Sequence, residues 1–146
     1  MNTAYRIPKG KFPLIDRFVS QESETTTPIT EMVVNSLITS ISEGQHFGIG
    51  KPVVVKGLAW DGGYGIRRVE VSIDDGRTWE GAELGADAGR YSFRPWQYAL
   101  KPRAKGHLNV MARAINTQGA SQTFELIFNG PGYHNNVIHK VGVEIV

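Results

Sequence analysis

Short runs of alternating apolar and polar residues recur along the chain from residue 31 onward. In one such run Val69, Val71 and Ile73 alternate with polar residues, which is the period of a strand that buries one face. Turn residues separate such runs about every 8 to 12 positions. The pattern predicts strands near 32–38, 51–59, 66–73, 77–83, 91–98, 107–115, 121–128 and 137–145.

Helical periodicity is weak throughout. No segment longer than about ten residues carries an apolar stripe with a period of 3.6. Many short strands with frequent turns are typical of a sandwich or barrel. We therefore expect an all-β, immunoglobulin-like antiparallel β-sandwich over 31–146, in which Trp60 and Trp79 fill part of the core.

Residues 1–30 differ from the rest of the chain. They contain three prolines and a polar run over 20–27, with a few scattered apolar residues. This composition predicts an extended N-terminal arm or linker that docks only partly.

A hairpin is predicted after the strand at 66–73. Asp75-Gly76 suits a tight turn, because Gly adopts positive φ freely and Asp tolerates it. The grouped carboxylates of Glu70, Asp74 and Asp75 would also suit a cation or acid–base cluster. Turn chemistry accounts for them better. The pattern over 72–79 resembles the Asp-box hairpin of sialidase propellers, but it occurs once, and a propeller needs several blades.

Composition narrows the function classes. The 146 residues are 40% hydrophobic, enough for one domain with its own core. The absence of cysteine removes disulfides, thiolate metal sites and thiol nucleophiles. A net charge of +2 is too small to indicate a nucleic-acid partner. No apolar run approaches the roughly 20 residues of a membrane helix, so we expect no membrane contact either.

Candidate catalytic and metal-binding residues are few. The pair His134 and His139 are five residues apart, which on a strand sends the side chains to opposite faces. His46 and His107 have no neighbour at ligand spacing, and no Gly-x-Ser-x-Gly motif is present. We expect no catalytic, cofactor-binding or metal residue.

The aromatic residues offer a candidate contact surface. Alternation places Arg94 and Trp96 on the face opposite Phe93. If that face is exposed, Arg94 and Trp96, with Tyr64, could form a partner interface, since Arg and aromatic residues dominate interface hot spots. An Arg94 stacked on Trp96 within the chain is an equally good reading.

Several segments together resemble one known family, the C-terminal dimerisation domain of sulfite oxidases and bacterial sulfite dehydrogenases. The resemblance is carried by the run Val55-Lys56-Gly57-Leu58-Ala59-Trp60-Asp61-Gly62-Gly63, by Phe93-Arg94 with Trp96-Gln97, by Ala112-Arg113-Ala114 with Gly119 and Gln122, and by parts of 28–38 and 136–141. It covers nearly the whole chain.

The resemblance implies a homodimer-forming sandwich that follows a molybdopterin domain. In the family a cysteine of that preceding domain ligates molybdenum, and this chain has no cysteine. We therefore expect no cofactor and no activity in this chain alone. Residues 1–8 look like the junction segment of bacterial sulfite dehydrogenases. The chain is thus expected to be a fragment whose arm runs against a missing molybdopterin domain, periplasmic if it is like those enzymes.

One segment departs from the family. Many sulfite oxidases place an arginine in a W-N-x-R-G segment, where this chain has Phe128-Asn129-Gly130-Pro131-Gly132. The substitution by proline leaves open whether the parent enzyme acts on sulfite or on another sulfur compound, such as a sulfur-carrying thiol.

A second function remains open from the residues alone. An independent sandwich could bind carbohydrate, with Trp60, Tyr64 and Trp96 as a stacking platform.

Overall fold

A computed structural model describes residues 5–8, 26–126 and 132–146. Its strands are β1 (Arg6–Pro8), β2 (Thr26–Pro28), β3 (Asn35–Ile38), β4 (Gln45–Phe47), β5 (Val53–Trp60), β6 (Ile66–Ser72), β7 (Glu80–Gly81), β8 (Glu83–Leu84), β9 (Arg94–Leu100), β10 (Gly106–Asn116) and β11 (His139–Ile145). No described segment forms a helix that is long and apolar enough to cross a membrane.

Two sheets make the body of the protein. One has four strands in the order β3-β5-β9-β8, and the other has five in the order β4-β11-β10-β6-β7. The strands pair antiparallel except β4 and β11, which are parallel. A separate ladder joins β1 to β2. The expected all-β sandwich is confirmed, with this one parallel pair as an addition.

The core lies between the two sheets and follows the alternation of their strands. On β10, for example, Val110, Ala112 and Ala114 point inward and are fully buried. The same holds for Val55 and Ala59 on β5. Burying a side chain the size of valine stabilises a fold by about 1.5 kcal/mol or more, so these inward positions supply most of the driving force.

A tryptophan packed on a glycine fixes the orientation of β9. The Trp96 indole is 2% exposed and lies against the backbone of β5 at Gly57. A Cβ at position 57 would collide with the Trp96 ring and with the carbonyl oxygen of Leu37, so only glycine fits there. With Trp96 and Leu100 inside, Pro95 and the other alternate residues of β9 face outward.

One buried amide connects the two sheets. Gln122 Oε1 accepts hydrogen bonds from Ser36 Oγ at 2.7 Å and from the Ala114 N–H at 2.9 Å. Its Nε2 donates to Asn35 Oδ1 at 2.8 Å and to the Val137 carbonyl at 3.2 Å. Since Ser36 lies on β3 and Ala114 on β10, this side chain ties an edge of the four-stranded sheet to the centre of the other.

A histidine makes a second connection beside it. His139 Nδ1, at the start of β11, accepts the Ile38 N–H of β3 at 2.9 Å. Burial lowers the pKa of His139, which favours the neutral ring that can accept this bond.

The predicted strand at 121–128 is wrong for residues 121–126, while 127–128 lie outside the described residues. The backbone at 121–126 makes only isolated bridges, Ile115 to Ser121 and Thr123 to Val137. Here the Gln122 side chain takes hydrogen-bonding groups that a strand neighbour would otherwise satisfy.

One further strand prediction needs correction, and one strand was missed. The predicted strand at 77–83 is two short strands, because the chain passes from β7 in one sheet to β8 in the other. The polar strand β4 was not predicted at all. Within the predicted arm, β1 and β2 form a ladder, and the division of the chain near residue 30 stays a prediction.

We expect Gln122→Leu to destabilise the protein by about 2–4 kcal/mol, because the buried Ala114 N–H loses its acceptor and the Ser36 hydroxyl keeps only the Ala112 carbonyl, at 3.4 Å. Urea unfolding followed by fluorescence measures the change. The matched control is Gln118→Leu at an exposed position nearby, which should change stability by no more than about 0.5 kcal/mol. Equal effects of the two substitutions would contradict the connecting role of Gln122.

Candidate functional site

Tyr64 and Arg94, two of the three predicted interface residues, line one small cleft. The cleft has a volume of about 170 Å³ and also contains Asp61, Asp87 and Arg90. Arg94 forms an ion pair with Asp87 at 2.7 Å and is only 22% exposed. Two acidic and two arginine side chains give the cleft no net charge. Membership of Arg94 and Tyr64 in an interface stays a prediction.

Tyr64 is held at the mouth of this cleft. Its hydroxyl donates to the Glu31 carboxylate at 3.1 Å, and this hydrogen bond raises the pKa of Tyr64. Its carbonyl accepts from Thr117 Oγ1 at 2.7 Å. The ring is 45% exposed and therefore accessible to a partner.

The expectation that Trp96 lies on an exposed face is wrong. Arg94 and Trp96 do share a face, but it is the inner face of the sheet, and Trp96 belongs to the core. A ring that is 2% exposed offers no surface to a partner protein. For the same reason a carbohydrate platform that includes Trp96 does not exist in this fold.

Trp60 and Trp79 lie outside the inter-sheet core, contrary to expectation. Trp60 faces outward on β5, where its ring meets Phe93 edge to face at 5.3 Å. Trp79 packs beside the hairpin instead: the Arg113 guanidinium lies 4.0 Å from its ring centroid, and Phe124 contacts it edge-on. The tryptophan that fills the core is thus Trp96.

The carboxylate of Asp74 organises the predicted hairpin. Its oxygens accept from Thr78 Oγ1 at 2.6 Å, from the Thr78 N–H at 2.9 Å and from Ser72 Oγ at 2.8 Å. These hydrogen bonds, led by that of the Thr78 side chain, lower the pKa of Asp74 to about 2. Asp75 and Gly76 both have positive φ, as the turn requires. The geometry is that of a structural turn.

Glu70 is likewise engaged within the fold. Its two oxygens pair with Arg68 and Arg113, each at 2.7 Å. Burial alone would raise the pKa of Glu70, but the hydrogen bonds from Arg113 and Arg68 outweigh it and keep the pKa below its ordinary value. A carboxylate held charged by two arginines is a poor general acid.

Within residues 5–8, 26–126 and 132–146 no three His, Asp or Glu side chains converge as a metal site would require. Three of the histidines have other partners: His107 contacts Glu144 at 2.8 Å, His134 contacts the Glu31 carbonyl at 2.9 Å, and His139 accepts the Ile38 N–H. The molybdenum ligand that the family resemblance implies is a cysteine, which this chain lacks. The residues of this chain therefore do not fit that group.

Sequence reasoning missed an apolar surface on the outer side of the four-stranded sheet. Strand register aligns Leu37, Leu58 and Pro95 in one row across β3, β5 and β9. Trp60 and Phe93 form the next row. We call these five residues the apolar face. The feature that reveals it is the contact of Gly57 with Trp96. Only the sequence position of Gly57 was visible beforehand, and the contact decides which side of β9 is inside.

A polar row borders the apolar face. Lys56 is aligned with Gln97, and Gln97 with Glu83, across β5, β9 and β8. Gln97 Nε2 donates to the Glu83 carboxylate at 2.8 Å. The row therefore carries a positive charge at one end and a negative charge at the other.

The low pKa of Asp74 predicts a pH-dependent contribution to stability. Because its folded-state pKa is about 2 and its ordinary value 3.8, the contribution is present above about pH 4 and is lost as pH falls towards 2. Asp74→Asn should lose more stability relative to wild type at pH 7 than at pH 3 in urea unfolding. The matched control is Asp75→Asn, since Asp75 lies outside the Ser72–Thr78 ring of donors. A loss for Asp74→Asn that is the same at both pH values would refute the proposed role of the charge.

Known proteins with similar sequences identify relatives of this chain. Mitochondrial sulfite oxidase of Rattus norvegicus is 32% identical over 146 residues, covering 94% of this chain and 26% of its own length. The NAD(P)H nitrate reductase of Hordeum vulgare is 28% identical over 130 residues, covering 80% of this chain and 15% of its own. This chain thus spans about a quarter of the length of the sulfite oxidase, and less of the nitrate reductase.

Solved structures agree in fold. The sulfane dehydrogenase SoxCD from Paracoccus pantotrophus superposes with a TM-score of 0.68 at 28% identity, covering 86% of this chain and 33% of that one. Fibronectin(III)-like modules of Clostridium thermocellum CbhA superpose at 0.53 with 15% identity, covering 75% and 94% of the two chains, which shows the sandwich fold alone.

The family assignment follows from a match over most of the chain. Residues 26–146 match the family described as the Mo-co oxidoreductase dimerisation domain. They include both sheets and the β2 strand of the ladder. The chain therefore belongs to the Mo-co oxidoreductase dimerisation domain family.

Proposed function

We propose that this chain joins two copies of a longer sulfite-oxidase-like molybdenum oxidoreductase and performs none of its chemistry. The observation that carries the proposal is the match of residues 26–146 to a dimerisation domain. The short share of the relatives' length that the chain spans supports a larger parent protein.

The chemistry of the described residues supports a non-catalytic role. The Asp74 carboxylate is engaged in a turn and the Glu70 carboxylate in two ion pairs. In the cleft, the charges of Arg94 and Asp87 neutralise each other in an ion pair. In a parent enzyme, molybdenum bound to molybdopterin would supply the redox chemistry from a preceding domain. That domain would lie against the N-terminal arm.

The parent is proposed to oxidise sulfite or a related sulfur compound. Both the sulfite oxidases and the sulfane dehydrogenase SoxCD are similar to this chain, and their names point to sulfur at different oxidation levels. The segment around Pro131 is where the resemblance to sulfite oxidases fails, and it would help to distinguish the two kinds of substrate. It lies mostly outside the described residues.

The isolated chain is expected to be a homodimer without bound molybdenum. Sedimentation velocity between about 1 and 200 μM should show a monomer–dimer equilibrium, with a buried interface on the order of 1,600 Å² if the association is of standard size. Elemental analysis of protein from molybdenum-supplemented cells should find far less than one molybdenum per chain. A purely monomeric chain at 200 μM, or one tightly bound molybdenum per chain, would contradict the proposal.

A further inference from the structure

The outer faces of the two sheets differ in chemistry. On the five-stranded sheet, the outward side chains are tied into polar pairs that include Glu70 with Arg68 and Arg113, and His107 with Glu144. Such a surface has its charges satisfied and is suited to water. Its exposed apolar group is the Phe124 ring, 54% exposed, which packs with Trp79 over Arg113 and so stands among charges and not in apolar rows.

The outer face of the four-stranded sheet is apolar where the other is charged. Leu37 is 43% exposed and Phe93 58% exposed, with Leu58 and Trp60 half-buried between them. Their register brings them together in adjacent rows. A contiguous apolar group with an aromatic pair at its edge, bordered by polar residues, is the composition of a protein interface.

We propose that this apolar face is where a second copy of the chain docks, so that the two four-stranded sheets pack face to face across a two-fold axis. The inference rests on the proposed dimerisation function and adds the surface that performs it. The self-complementary chemistry of the face, with apolar rows and a row of opposite charges, selects a second copy as the occupant.

The rows of the face restrict where the axis can lie. An axis parallel to the strands, between β5 and β9, keeps every row opposite the same row of the second copy. Leu58 then meets Pro95 of the other copy, and Trp60 meets its Phe93. An axis running across the strands along the Leu37–Leu58–Pro95 row would instead set Lys56 over the aromatic row, away from the Glu83 carboxylate of the other copy, which lies in the polar row.

Charge complementarity supports the first arrangement. With the axis between β5 and β9, Lys56 of one copy lies over Gln97 of the other, whose amide is already bonded to Glu83. A lysine side chain is long enough to reach that carboxylate. The two-fold symmetry forms this pair twice, at the border of the apolar face.

A charge placed in the apolar face should separate the copies. Leu37→Glu puts a carboxylate into the first row and is expected to raise the dimer Kd at least 100-fold in sedimentation velocity, because the carboxylate would be desolvated without a partner. The matched control is Ile49→Glu, at an aliphatic residue of equal exposure, 42% against 43%, in the β4–β5 loop. Circular dichroism and thermal melting check that both variants remain folded.

Mixing two charge-reversed chains tests the Lys56–Glu83 contact itself. Lys56→Glu and Glu83→Lys should each weaken self-association about tenfold, since each homodimer then opposes like charges. Mixed together, the two variants carry complementary charges at both symmetry-related contacts. They should form a heterodimer in preference to either homodimer, which native mass spectrometry resolves by mass.

The outcomes separate the surface from the function. If the wild-type chain dimerises but Leu37→Glu dimerises as well as Ile49→Glu, the apolar face is not the interface, although the dimerisation function stands; the face then belongs to another occupant, such as a preceding domain. A statistical mixture of the charge-reversed chains also overturns the proposed contact. A wild-type chain that stays monomeric at 200 μM overturns surface and function together.

Discussion

The arrangement of the four-stranded sheet depends on one contact, the Trp96 indole packed on the bare backbone at Gly57. Any side chain at position 57 would collide with the ring, so this contact settles which side of β9 faces the core. The apolar face is the consequence: with Trp96 inside, Pro95 is outside, beside Leu58 and Leu37. The same contact therefore determines both the packing of the core and the composition of the proposed interface.

The proposed interface also requires that the two sheets keep a fixed position relative to each other. Buried polar side chains provide this. The Gln122 amide and the His139 ring both reach from the five-stranded sheet and its connections to β3, the edge strand that carries Leu37. Fully satisfied buried hydrogen bonds make a packing unique as well as stable. An edge strand anchored in this way presents its outward residues at a constant position, as an interface needs.

The sequence predicted the fold class well because alternation and turn chemistry are local signals. Val69 and Val71 point inward as expected, and Asp75-Gly76 turns the chain. Alternation alone groups Arg94 with Trp96 but cannot say which side of the strand is buried, because that depends on Gly57 in another strand. The 121–126 segment was misassigned since a side chain, Gln122, replaces strand pairing there. The β4 strand carries no apolar alternation that could have revealed it.

Distances between two copies test the central claim most directly. The chain has no cysteine, so one introduced cysteine carries one nitroxide for double electron–electron resonance. Stacked sheets lie about 10 Å apart. Labels at Val54→Cys, on the outer side of the four-stranded sheet, should therefore give an inter-copy distance below about 25 Å, and labels at Arg68→Cys, on the far sheet, more than about 30 Å. The reverse order of the two distances would contradict the account.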